Sequence, residues 1–146
     1  MLSLQTKSVS KKTLNSLLKY NFTKYYTKSH EWIDVKGNKG KSGISVKAAH
    51  DLGDIVFVEL PNIGETFPKE ESYGAIESVK AASDIFMPVE GEIVSVNEQL
   101  VDTAGLINED AEGEGWVVEI QIANTKEIKE LMNEQQYKKF CEEEEH

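Results

Sequence analysis

Arginine is absent from this chain, cysteine occurs once and proline three times. No apolar run approaches the roughly eighteen residues that a membrane helix needs, so no segment reads as spanning a bilayer. The lone Cys141 cannot close a disulfide within the chain, which fits a reducing compartment. Acids around it disfavour the reactive thiolate, and it reads as a passive thiol. Histidine is scarce too: His30, His50 and His146 show no metal-ligand spacing, and His50 reads as a surface residue. Neither a phosphate-cradling glycine loop nor a Ser/His/Asp arrangement stands out.

What the chain has is acid, unevenly placed. Residues 1–30 carry six lysines and no acid, whereas residues 31–146 carry ten lysines against all 26 acids, giving charges of +6 and −16. The acidic part argues against nucleic acid as a partner and for docking on basic patches. The basic part is rich in Ser, Thr, Leu and Lys, with Leu14, Leu17 and Leu18 at helical spacing. It reads as a mitochondrial transit peptide over residues 1–23 or as a disordered basic arm. At 39% apolar and 29% charged, the chain suits one globular domain, 24–146, with a modest core.

The elements predicted for that domain are mostly β. Trp32–Val35 and Gly43–Val46 flank a Gly37–Gly40 turn and predict an opening hairpin. Ser45 is a suitable N-cap for a short helix over Val46–Leu52, stopped by Gly53. Ile55–Leu60 is nearly all apolar and predicts a strand buried on both faces. Ile93, Val94 and Val96 predict another. Trp116, Val118, Ile120 and Ile122 alternate with more polar neighbours, as in a half-buried strand. The polar stretch 97–115 is expected to be a long loop. From Thr125 the period turns helical: Ile128, Leu131 and Met132 share one face, Tyr137 and Phe140 another, and Asn133 with Gln136 forms a capping-box restart between two short helices.

One lysine stands apart. Tyr73–Ile76 and Asp84–Met87 read as two strands joined by a turn near Lys80, which puts the amine outside the core. Most lysines are solvated surface residues, and that bland reading applies here as well. The neighbours Ala81, Ala82 and Ser83 are poor choices for a purely structural tight turn, which favours Asn-Gly, but their small size leaves room for another protein to approach. Gly74 predicts a close backbone approach beneath this hairpin.

The segment Gly74–Asp84, centred on Glu77-Ser78-Val79-Lys80-Ala81-Ala82-Ser83, resembles the lipoylation site of the glycine cleavage system H protein family. Four more blocks resemble the same family in the same order: Ser29-His30-Glu31-Trp32, Gly53–Pro61, Pro88–Ile93 and Gly115-Trp116. Together they run from about residue 24 to the C-terminus. The resemblance implies a flattened lipoyl/biotinyl-type barrel-sandwich hybrid with an N-terminal hairpin, a short helix and C-terminal helices. It implies lipoate attached covalently to Lys80, with Glu77 read by the modifying lipoate ligase or lipoyl/octanoyl transferase; otherwise Glu77 merely orients the lysine.

The same resemblance implies a carrier that is not itself an enzyme. A glycine decarboxylase using pyridoxal phosphate loads an aminomethyl group onto the arm. A tetrahydrofolate-dependent aminomethyltransferase removes the one-carbon unit, and an FAD-containing dihydrolipoyl dehydrogenase reoxidises the dithiol. Ser29, Glu31 and Asp84 match positions of a cleft that shelters the loaded arm, though each is also readable as an ordinary solvated residue. If the source is eukaryotic, the resemblance implies the mitochondrial matrix.

Several alternatives compete. An H-like carrier serving lipoate relay or another lipoyl-dependent pathway shares these motifs. A lipoyl domain of a 2-oxoacid dehydrogenase would lack the Ser-His-Glu-Trp block and the helical tail, and a biotin carrier would place methionines where Val79 and Ala81 stand. A Schiff-base enzyme needs a desolvated amine, which a hairpin tip between carboxylates does not supply.

Overall fold

Short β-branched runs separated by glycine turns assemble into two antiparallel sheets in the computed structural model, which describes residues 23–145. The transit-peptide reading lies outside the described residues except for Thr23, where the first strand begins. Six strands are β1 (Thr23–Tyr26), β2 (Glu31–Lys36), β3 (Lys39–Ile44), β5 (Thr66–Phe67), β8 (Gly91–Val96) and β9 (Val118–Ile122), in the order β1-β2-β3-β9-β8-β5. The smaller sheet orders β4 (Ile55–Glu59), β6 (Ser72–Ser78) and β7 (Ala82–Phe86) as β4-β6-β7. Ile33, Val118 and Ile120 of the larger sheet share one core with Val58, Ile76 and Ile85 of the smaller. The result is the mostly β, flattened sandwich that the sequence implies.

The opening hairpin forms as expected, with Gly37 at φ +62° in the turn between Lys36 and Lys39. Helix α1 (Val46–Leu52) also forms, its first turn capped by Ser45 Oγ, which accepts from Ala48 N at 3.1 Å. It stops at Gly53, whose φ of +83° suits only glycine.

Strand β4 corrects the expectation of burial on both faces. Ile55 and Val58 are buried, but Val56 and Phe57 are 57% and 52% exposed. The cause is a break in register: Ile55 pairs with Ser78 and Phe57 with Glu77, so Val56 is the extra residue of a bulge. Two successive side chains therefore face out before alternation resumes.

The stretch 97–115 is no plain loop. It contains α2 (Gln99–Asp102) and α3 (Leu106–Asp110), neither with a side-chain N-cap bond. Their signal is the spacing of Leu100, Ala104, Ile107 and Ala111, all buried, at steps of four, three and four. Polar intervening residues and missing caps masked it.

The C-terminal segment splits as predicted, into a 3-10 turn over Thr125–Glu130 and α4 (Glu134–Glu144), which starts at a full Asn133/Gln136 capping box. The shared face of Ile128, Leu131 and Met132 does not survive. Ile128 and Leu131 pack on the main core, while Met132 joins Tyr26, Trp32 and Tyr137 in a second cluster. The chain bends there because Met132 forms a two-bond bridge with Tyr26, at 2.8 and 2.9 Å. No helix among the described residues is long and apolar enough to cross a membrane.

Candidate functional site

Lys80 sits at the exposed tip of the β6–β7 hairpin. Glu77 pairs with Ala82, Ser78 N donates to Ala81 O at 2.7 Å, and Val79-Lys80 is left as a two-residue loop. Neither loop residue has a positive φ, so the turn lacks the glycine geometry usual for so tight a connection. Ser78 supplies the substitute. Its Oγ accepts from Ala81 N at 3.0 Å and from Lys80 N at 3.3 Å, which ties down the backbone on either side of the amine-bearing residue. Sequence reasoning passed over this serine, although Ser at the start of a turn is a side-chain-to-backbone signal.

The lysine stem lies against Gly53. A Cβ placed on that glycine would come within 3.2 Å of Lys80 Cε, so its bare backbone leaves the stem a seat. Next to it, Asp54 O accepts from Val79 N at 3.0 Å. Asn108 of α3 locks this corner, donating to Gly53 O at 2.9 Å and accepting from Ile55 N at 2.9 Å. Asn108 was missed because the stretch around it reads as loop.

Glu77 is exposed on β6, and among the described residues no ion pair or hydrogen bond joins it to Lys80. Gly74 makes the predicted close approach: a Cβ there would overlap the carbonyl oxygen of Glu59 on β4.

Ser29, Glu31 and Asp84 meet in one cleft of about 230 Å³, walled also by Asp51 and Leu52 of α1 and by Ile76 of β6. Glu31 is its unusual member, a carboxylate only 1% exposed. Ser29 Oγ donates to Glu31 Oε1 at 2.5 Å and Thr27 Oγ1 donates to the same oxygen at 2.6 Å. Glu31 Oε2 has one weak donor, Phe86 N at 3.5 Å, and keeps acceptor capacity towards the cleft. Burial pushes the Glu31 carboxyl above its ordinary 4.5, while the Ser29 and Thr27 hydroxyls pull the other way.

Asp51 adds a second carboxylate that sequence reasoning did not single out. The Lys47 ammonium, 2.8 Å away, holds its pKa below the ordinary aspartate value. His50 beside it is a surface residue, as expected, with its side chain 89% exposed. The cleft thus offers Glu31, Asp51 and Asp84 to a cationic guest. Among the described residues, no group of His, Cys, Asp and Glu could hold a metal ion.

A larger groove of about 560 Å³, bounded by Tyr26, Phe86 and Met132, shares Ser29 with this cleft. Glu31 does not line it.

Comparison with known proteins bears on this geometry. The family model described as Glycine cleavage H-protein matches residues 24–144. The chain is 47% identical over 119 residues to the glycine cleavage system H protein of Carboxydothermus hydrogenoformans, covering 82% of this chain and 92% of that one. It is 45% identical to the mitochondrial glycine cleavage system H protein 2 of Arabidopsis thaliana, covering 82% and 76%. Its fold is similar to the crystal structure of a glycine cleavage system H protein from Mycobacterium marinum, with a TM-score of 0.73, 35% identity, and coverage of 85% and 98%.

Proposed function

Because the chain belongs to the glycine cleavage H-protein family, we propose that Lys80 is the residue on which it carries lipoate. The protein is a lipoyl carrier of the glycine cleavage system and a non-catalytic subunit. One observation carries the assignment of the lysine: Lys80 is held at an exposed two-residue tip by Ser78 and by Asp54 O, with small residues following it.

The chain's own residues do three things. Lys80, once its ammonium has lost a proton, attacks the acyl carbon of an activated lipoyl group. An amide forms as the activating group leaves with the bonding pair and the nitrogen releases its second proton to solvent. The product is a neutral tether. The Gly53 seat and the Asn108 lock keep the base of that tether fixed while its end moves. Tethering holds the arm's end at an effective concentration in the millimolar range for whichever active site is docked.

Lipoate, when bound, supplies the redox and group-carrying chemistry that no side chain here provides. The cleft fits the cargo of such an arm. Glu31 Oε2, Asp84 and Ser29 present acceptors for an ammonium, and the buried position of Glu31 excludes water around it. In this reading Glu77 is the carboxylate recognised by the attaching lipoate ligase or lipoyl/octanoyl transferase.

The protein works with the other components of the glycine cleavage system. Those assigned here are a pyridoxal-phosphate glycine decarboxylase, a tetrahydrofolate-dependent aminomethyltransferase and an FAD-containing dihydrolipoyl dehydrogenase. The acid-free basic stretch ahead of residue 24 supports a mitochondrial matrix location. Relatives differ on this point, since the Arabidopsis protein is named mitochondrial and the Carboxydothermus protein is not.

Intact mass and exchange kinetics test the reading together. The chain incubated with a lipoylating enzyme gains one lipoyl group and supports glycine–bicarbonate exchange by glycine decarboxylase, and Lys80→Arg does neither. A lipoyl group found on Lys80→Arg, or exchange that survives the substitution, overturns it.

A further inference from the structure

We infer that the bulged outer face of the smaller sheet, centred on Val56, Phe57 and Val79, is the docking surface for the enzyme that acylates Lys80. The inference rests on Lys80 being the modified residue. The three side chains are 57%, 52% and 70% exposed, on adjoining backbone: Phe57 pairs with Glu77, and Val79 N bonds to Asp54 O two residues before Val56. Apolar side chains this exposed are ordinary when scattered, but here they are grouped beside the amine. The bulge is what presents them. If Val56 were paired in register instead of bulged, regular alternation from the buried Ile55 would turn Phe57 inward.

The surroundings specify the occupant. Phe57, Glu77 and Ala82 form one row across the three strands, and Glu59, Ala75 and Asp84 form the next outward row. An apolar centre with alanines that give clearance is thus bordered by Glu59 and Glu77. Such a surface fits a partner with an apolar seat and a basic rim.

Reach separates the possible partners. An enzyme that uses the finished arm meets its far end, well away from the hairpin. An enzyme that builds the amide must bring its own reacting centre to Lys80 Nζ, and so covers the residues within a few ångströms of it. Val79 adjoins Lys80 in sequence, and Phe57 lies opposite the carboxylate three residues before it.

The test uses the full unmodified chain with a lipoate ligase, ATP and lipoate, and measures KM and kcat for the acceptor protein. For Val56→Ser/Phe57→Ser, KM rises by about ten-fold or more while kcat stays within about two-fold, the size of effect a central apolar anchor gives. Phe57→Leu, which keeps an apolar side chain, stays near the parent. Raised salt increases the parent's KM by screening the acidic border.

An unchanged KM in the double-serine variant overturns the inference. So does an equal fall in glycine–bicarbonate exchange by the same variant after exhaustive lipoylation, which assigns the face to the arm-using enzymes. Concentration-dependent dimers of the parent that the variant disperses would assign it to a second copy. A lipoyl group on Lys80→Arg would instead refute the attachment site, and leaves the KM comparison readable.

Discussion

Tyr137 on the last helix donates its hydroxyl to Ser45 Oγ at 2.7 Å, joining the C-terminus of the fold to the cap of α1. The same hydroxyl stands 2.7 Å from Nδ1 of His30, whose Nε2 lies 2.8 Å from Glu144. His30 occupies the turn between Ser29 and Glu31 at φ +71°, a conformation uncommon for a non-glycine residue. Helix α4 therefore braces the turn that supplies two of the cleft residues.

Tyr137→Phe tests that brace. The ring stack on Tyr26, with centroids 4.2 Å apart and planes 3° from parallel, remains, so only the hydroxyl is lost. Ser45 and His30 each lose a partner, and the fold is expected to lose about 1–2 kcal/mol in urea unfolding. A change within a few tenths would show that the link contributes nothing.

Glu31→Gln tests the buried carboxylate through its pH dependence. Burial makes the folded state hold the Glu31 proton more tightly than the unfolded chain does. Over the window upward from the ordinary 4.5, the folded state therefore binds more protons, and the parent loses stability as pH rises. The variant gains on the parent across that window, and the gap closes below it. Melting curves of both proteins at several pH values check this, and a gap independent of pH would show that desolvation does not set the Glu31 titration.

Gly74→Ala probes the contact beneath the lysine hairpin. The added methyl overlaps the Glu59 carbonyl, which is backbone and has no rotamer to escape into. Strands β4 and β6 must separate, at a cost of about 3 kcal/mol. Full stability in chemical denaturation would show that β4 can shift without loss.

The features legible in the sequence are those that neighbouring residues decide. Ser45 capping α1, Gly53 ending it, the Asn133/Gln136 box starting α4 and the turn that exposes Lys80 all follow from backbone donors and acceptors satisfied within a few residues. The family blocks pointed to Lys80 as the proposed attachment residue and to Ser29, Glu31 and Asp84, which the structure brings into one cleft. The helices within 97–115 were also written locally, in the spacing of Leu100, Ala104, Ile107 and Ala111, but without caps to announce them.

Other features depend on which strands meet and in what register. The sequence alone determined that an amine stands at a hairpin tip in an acidic, mostly β domain, because turn chemistry and side-chain period are properties of contiguous residues. Only the tertiary structure decided that Glu31 lies buried under Ser29 and Thr27, in one cleft with Asp84 from more than fifty positions away. It alone turned Val56 and Phe57 outward, since a bulge exists only relative to the partner strand. Burial and pairing are set by packing between distant segments, and no local pattern encodes them.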